Sequence, residues 1–348
     1  MKINLATLVV SLFLFASCQK EEIKIGKAVS ETFYVQNAGA SMRVLVEGNT
    51  ASKAILLFVH GGPGASSYFY NTDYISQNIE DKYAVAYWDQ RNAGASQGND
   101  NGGQLDLKTM TTDLKKVIQV LKHRYGQDVS VFILGHSFGG MLSASFVTTE
   151  NNQDLIKGWI MFSGVHNYPL NDKYSREGLI FFAKQQIALS KRVDKWQEIL
   201  DYCNSIPAQN ISKEQFIKLN TYANNADRYF DEVKPLSGED IIKATAVKQN
   251  IAITSIYINA LYNSNANILN EVLTKELSSK LNKVTVPVVT MYGKYDLICP
   301  PKTGDDVYSR VGSTSKFQFI FPNSGHNGMF SEPELFCREV NKFIEQFR

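Results

Sequence analysis

The run Val129-Ser130-Val131-Phe132-Ile133-Leu134-Gly135-His136-Ser137-Phe138-Gly139-Gly140-Met141-Leu142-Ser143-Ala144-Ser145-Phe146-Val147 changes character at its centre. Its first third is β-rich and almost wholly apolar, as in a strand buried on both faces, and its last third reads as a helix. Between them lies Gly135-His136-Ser137-Phe138-Gly139, a Gly-x-Ser-x-Gly pattern. A strand, this turn and then a helix is the context in which a serine hydroxyl is lifted on a tight bend and made into a nucleophile. Gly and Ser are common, so the pentapeptide alone carries little weight. The surrounding order and the partners must support the reading.

Outward from this stretch, short β-rich runs alternate with turn chemistry and helical stretches on both sides. Thr32 to Val35 and Met42 to Val46 read as an opening pair of strands. Ala54 to Val59 ends in His60-Gly61-Gly62-Pro63-Gly64, and Tyr83 to Trp88 runs into Asp89-Gln90-Arg91-Asn92 and on to Ser96. Leu107 to Tyr125 has helical periodicity, with Leu114, Val117, Ile118 and Leu121 on one face. Gly158 to Ser163, Val284 to Tyr292 and Lys316 to Phe321 are further strands, and a helix near Pro333 to Phe347 closes the chain. The alternation predicts an α/β fold with a mainly parallel central sheet flanked by helices. From about Asn167 to Lys283 the β-branched runs thin out and helical stretches such as Ile241 to Leu261 dominate, which predicts a helical cap inserted into the core. The core is then 28–166 and 284–348, and the cap 167–283.

A serine hydroxyl is a poor nucleophile at neutral pH, so it needs a base, and the base needs an acid to fix its tautomer. Asp296 lies just past the strand ending near Tyr292, and His326 just past the strand ending near Phe321. With Ser137, all three follow strands whose carboxyl ends converge on one edge of a parallel sheet, in the chain order Ser, Asp, His. Asp305 and Asp306 are alternative acids. Two backbone N–H groups must receive the oxyanion. Phe138, after the serine, supplies one, and the glycine pair after Val59 the other, with Gly62 the first choice and Gly61 the second. The spacing of these glycines is not Gly-x-Gly-x-x-Gly, and Pro63 removes a donor, so a nucleotide cradle is not expected.

The 348 residues carry a formal balance of +2 with 20% charged residues, which argues for neither nucleic acid nor an acidic partner. The five histidines show no metal-binding spacing, and neither a metal nor a cofactor is expected. Cys203, Cys299 and Cys337 allow at most one disulfide, which the sequence does not assign. Lys2 and the apolar stretch Leu5 to Ala16 fit a secretory signal over residues 1–17, too short to span a bilayer comfortably. Phe15-Ala16-Ser17-Cys18 resembles the lipobox of bacterial lipoproteins, with Cys18 as the acylated first residue and 18–27 as a polar tether. Gln19-Lys20-Glu21-Glu22 resembles a surface-export signal of Gram-negative lipoproteins. The expectation is an outer-membrane lipoprotein, periplasmic or surface-exposed, held by several acyl chains.

Taken together, the segments resemble the α/β-hydrolase superfamily, and more narrowly its prolyl iminopeptidase-like branch of serine peptidases. His60-Gly61-Gly62-Pro63-Gly64 and Trp88-Asp89-Gln90-Arg91, continuing to Gly94 and Ser96, carry the narrower match. The resemblance implies that the first motif forms the oxyanion loop, that the second is a structural segment near the site, and that Ser137, Asp296 and His326 are the triad. Departures are Asn92, where the family usually has Gly, and Gly135-His136-Ser137-Phe138-Gly139 in place of its common Gly-Gly-Ser-Trp-Gly. The role of the glutamates with which family caps hold the substrate's amino group does not transfer by motif, though the cap has acids available. The cap's tryptophan, Trp196, precedes Gln197 and Glu198, and Glu177, Asp227, Asp231 and Glu232 read as solvated helix faces. The expected activity is release of an N-terminal residue from small peptides or amides, with carboxylic ester hydrolysis as the alternative. A non-catalytic binding lipoprotein of the same fold is the reading from another class.

Overall fold

A computed structural model of the chain describes residues 23, 25–96, 105–233 and 267–348. The leader, Cys18 and the helical stretch expected at Ile241 to Leu261 lie outside the described residues. Eight strands form one sheet: β1 (Val29–Asn37), β2 (Ala40–Gly48), β3 (Ala54–Val59), β4 (Ala84–Trp88), β5 (Ser130–His136), β6 (Gly158–Phe162), β7 (Val288–Gly293) and β8 (Lys316–Phe321). Their spatial order is β1-β2-β4-β3-β5-β6-β7-β8. β2 pairs antiparallel with β1 and β4, and every pairing from β4 through β8 is parallel.

Helices α1 (Leu107–Tyr125), α2 (Phe138–Val147), α7 (Pro301–Arg310) and α8 (Pro333–Phe347) flank the sheet. β3 to β6 are buried along their whole length, as expected where helices cover both faces. Side chains alternate accordingly. Ile55, Leu57, Val131 and Ile133 pack with α1 and α2, while Leu56, Phe58, Phe132 and Leu134 pack with α8. α1 starts where Asp106 accepts from Thr109 N and stops at Gly126, so the Leu107 to Tyr125 periodicity translates directly into a helix. β7 begins at Val288, later than the Val284 expected from the apolar run. A 3₁₀ turn occupies Ser278–Lys283, and Pro287 has no N–H to give to a ladder.

Between β6 and β7 the described residues are helical: α3 (Tyr168–Ala188), α4 (Val193–Ser205), α5 (Lys213–Ala226) and α6 (Asn267–Val272). α3, α4 and α5 bury a cluster of their own around Leu179, Trp196, Ile199 and Leu219. Tyr295 and Leu297, from the loop after β7, belong to the same cluster. Cys203, Cys299 and Cys337 are all free thiols and buried.

Candidate active site

Parallel register puts the ends of β3, β5, β6, β7 and β8 along one edge, and the loops beyond them meet there. Ser137, between β5 and α2, has φ 56° and ψ −122°, a conformation that costs an L-residue energy and has to be held by its surroundings. Its N–H donates to Ser163 O at 3.1 Å, and its carbonyl accepts from Gly140 N and Val165 N, so the bend is pinned to the end of β6. Gly139 lacks a side chain because a Cβ would stand 1.9 Å from Val59 O. Phe138 opens α2, so its amide is one of the N-terminal N–H groups that no helical carbonyl can satisfy.

Asp296 and His326 are brought together. His326 Nδ1 lies 2.9 Å from Asp296 Oδ2, and Oδ1 of the same carboxylate accepts from Ile298 N and Cys299 N. Both side chains are buried. Burial pulls His326 toward the neutral form, but the charge and hydrogen bond of Asp296, with the charge of Asp227, outweigh it and raise its pKa. The Nδ1 contact leaves Nε2 to face a reacting group. His326 sits against the serine bend: its ring is 4.8 Å from that of His136. Ser137 Oγ and His326 Nε2 are not hydrogen-bonded to each other among the described residues, as is common before substrate binds. The Cys299 thiol lies beside the Ser137 hydroxyl, and burial, then the charges of Asp296 and Asp172, push its pKa well up, so it stays protonated.

The two alternative acids lie elsewhere. Asp306 binds His166, Ser278 and Arg310, and Asp305 accepts from Gln318.

The loop after β3 lies on the serine. A Cβ at Gly61 would stand 2.9 Å from Ser137 Cβ. Gly61 N donates to Tyr70 Oη at 3.2 Å, whereas Gly62, with φ +122°, has an amide with no hydrogen-bond partner among the described residues. His60 ties this loop to the Asp89-Gln90-Arg91 segment. Its Nδ1 donates to Gly61 O, its Nε2 accepts from Gln90 N, and Gln90 Nε2 donates to His60 O. Asp89 accepts from Ser66, Ser67 and Ala95, while Arg91 forms a buried two-pronged pair with Asp113. Asn92 has φ 56°, a left-handed conformation that asparagine tolerates better than most residues, which accounts for its standing where the family usually has glycine.

The cap acids divide. Glu177 meets Lys173 and Lys302, and Asp231 meets Lys191 and Arg192, all at the surface. Glu232 is exposed, and Glu198 bonds the Tyr222 hydroxyl on an exposed face. Asp227 corrects the expectation of a solvated face. It is half-buried, Oδ2 accepts from His326 N at 3.0 Å, and the enclosed Oδ1 has no hydrogen-bond partner among the described residues. Burial and then the charge of Asp296 push its pKa up to about 7. Asp172 on α3 carried no signal in the sequence. It is 9% exposed, has no ion pair among the described residues, and is pushed up to about 7 by burial. It lines a cavity of about 470 Å³ with Pro169, Arg176, Lys213 and Leu273. A polar residue one turn into the first helix after β6 was the only hint available.

A mainly parallel sheet flanked by helices, with a serine bend, a glycine loop and a His–Asp pair at one edge, has the architecture of an α/β-hydrolase. Residues 50–334 match the family described as "Serine aminopeptidase, S33", and the chain belongs to it. Among relatives, it is 22% identical to the "Probable aminopeptidase YbaC" of Bacillus subtilis, over 86% of this chain and 91% of that protein. Among solved structures it resembles the proline iminopeptidase of Mycobacterium smegmatis, with TM-score 0.64 and 19% identity over 91% of this chain and 98% of that one. An esterase from Exiguobacterium antarcticum has TM-score 0.58 and 18% identity, over 92% of this chain and all of that one.

Proposed function

We propose that the protein is an aminopeptidase of prolyl iminopeptidase type, releasing the N-terminal residue of small peptides through an acyl-enzyme. Ser137 Oγ attacks the carbonyl carbon while its proton passes to His326 Nε2, and Asp296 stabilises the imidazolium. The amides of Phe138 and Gly62 receive the oxyanion. When the C–N bond breaks, the amine leaves with the proton from His326. Water then attacks the ester, losing its proton to His326, and Ser137 is restored.

The observation that supports the peptidase reading is a pair of carboxylates, buried Asp172 and half-buried Asp227, near Cys299 and His326. A free ammonium entering there favours the ionised form of these carboxyls and, once they are ionised, meets opposite charge in a poorly solvated setting. Proline and alanine anilides should be cleaved faster than short acyl esters. Asp172→Asn should raise KM for the anilides about tenfold or more while leaving an N-blocked ester little changed. Preference for esters would replace the peptidase reading with the esterase one. Labelling by a fluorophosphonate that disappears in Ser137→Ala supports the nucleophile, and an unlabelled wild type would favour a binding protein.

We further propose that Cys18 is acylated after loss of residues 1–17 and anchors the enzyme in a Gram-negative outer membrane. The support is the apolar stretch Leu5 to Ala16 followed by the lipobox-like Phe15-Ala16-Ser17-Cys18. Cys18→Ser should lose incorporated fatty acid and move activity from the membrane fraction to the soluble one. An unlabelled wild type that is already soluble would defeat it.

A further inference from the structure

Three hydrogen bonds run in one direction through two side chains, Tyr70 and His136, that the chemistry above leaves unused. Gly61 N donates to Tyr70 Oη at 3.2 Å, Tyr70 Oη lies 2.8 Å from His136 Nδ1, and His136 Nε2 lies 3.3 Å from the carbonyl oxygen of His326. Counting protons fixes the polarity. The carbonyl of His326 can only accept, so His136 Nε2 carries the imidazole proton, and Nδ1 of a neutral ring must accept from the Tyr70 hydroxyl. Burial, then the charges of His326 and His60, hold His136 well below its ordinary pKa, in keeping with that neutral ring.

The four residues come from four places: the loop after β3, the short helix Ser67–Tyr70, the end of β5 and the loop after β8. Tyr70 and His136 are 4% and 6% exposed, so water competes little for these bonds. Ring contacts brace them. Tyr70 meets His136 edge-on at 5.7 Å, and the His136 ring lies 4.8 Å from the His326 ring at 33°. The iminopeptidase motif to which this chain is similar has glycine at this position and could not make such a bridge.

We propose that His136, with Tyr70, is a positioning residue of the reaction, tying the backbone of the oxyanion loop to the backbone of the loop that carries His326. Neither side chain needs to touch substrate. The oxyanion donors and the base must act on the same carbonyl, where misplacement by about 1 Å can cost a hundredfold in rate. A bridge between their two loops fixes that distance. The proposal rests on the reading of Ser137 as nucleophile.

Tyr70→Phe removes one oxygen and both of its bonds, and His136→Phe keeps a ring but removes two bonds. Each single variant and the double variant would be measured for kcat and KM on p-nitrophenyl acetate and for the rate of fluorophosphonate labelling, with thermal unfolding as the folding control. Each single should lower kcat and the labelling rate about tenfold to a hundredfold with KM within about threefold. The double should be no more than about twofold slower than the slower single, because one bridge is being broken twice. His136→Gln can accept from Tyr70 and donate to His326 O, and should regain part of the His136→Phe loss. Singles at the wild-type rate, losses that multiply in the double variant, or a change confined to KM would each overturn the proposal. If His136→Phe does not fold, Tyr70→Phe alone decides it. A wild-type enzyme that the fluorophosphonate does not label would bring down the hydrolase reading and this proposal with it, whereas a labelled wild type with unaffected variants would bring down the proposal alone.

Discussion

A methyl group at position 61 would stand 2.9 Å from Ser137 Cβ, closer than real Cβ atoms approach. Either the serine or the oxyanion loop would have to move. Gly61→Ala should therefore lower kcat about a hundredfold or more while the protein still folds, as steady-state kinetics alongside circular dichroism would reveal. A variant that keeps full activity would mean that the loop is not where the reaction needs it. Asp227 acts at the same scale by charge. In its ionised form it helps to hold the pKa of His326 up, so Asp227→Asn, which can still accept from His326 N, should shift the acid limb of the kcat/KM profile to lower pH. An unmoved limb would remove Asp227 from the electrostatics of the base.

Helix α1 is fastened to the β1–β2 hairpin through two residues. Asp113 on α1 takes both Arg91 Nε and Nη2 at 2.9 and 2.8 Å and accepts from Asn37 Nδ2 at 2.7 Å, while Arg91 donates to the carbonyls of Asn37 and Ala38. Asp113→Ala would leave a buried guanidinium without its counter-charge, and should cost about 3–5 kcal/mol of stability in urea unfolding. A loss below about 1 kcal/mol would show the pair to be better hydrated than its burial implies. Elements of this kind separate what was legible in the sequence from what was not. β5, α1, α2 and α8 could be read because apolar periodicity and chain order follow from burial on a sheet, and the placing of Ser137, Asp296 and His326 along one sheet edge because each stands just past such a strand. The Gly61–Tyr70–His136 connection was not legible. It joins residues nine and sixty-six positions apart through atoms whose meeting depends on how loops fold over the sheet edge. Asp172 and Asp227 were hidden for a related reason: a carboxylate on a helix looks solvated until its neighbours are known.

Across the whole molecule, two acids whose pKa is raised make stability depend on pH in an unusual sense. Asp172 and Asp227 keep their protons to about pH 7 in the folded state, whereas an unfolded aspartate releases its own near pH 4. Between those values the folded chain binds more protons than the unfolded one, so these two groups lose stability as pH rises and contribute least above about pH 7. The thermal midpoint should fall from pH 5.5 to pH 8.5, and Asp172→Asn combined with Asp227→Asn should flatten that slope. An unchanged slope in the double variant would assign it to other groups. The cluster around Trp196 has a mechanical corollary. Phe230 lies 4.8 Å from Tyr295 and 5.2 Å from Trp196, and Tyr295 is the neighbour of Asp296. Helices α3, α4 and α5 are thus bolted to the segment that carries Asp296, and swinging them outward as a door would displace that residue from His326. Whatever reaches the serine edge must do so with that scaffold standing still.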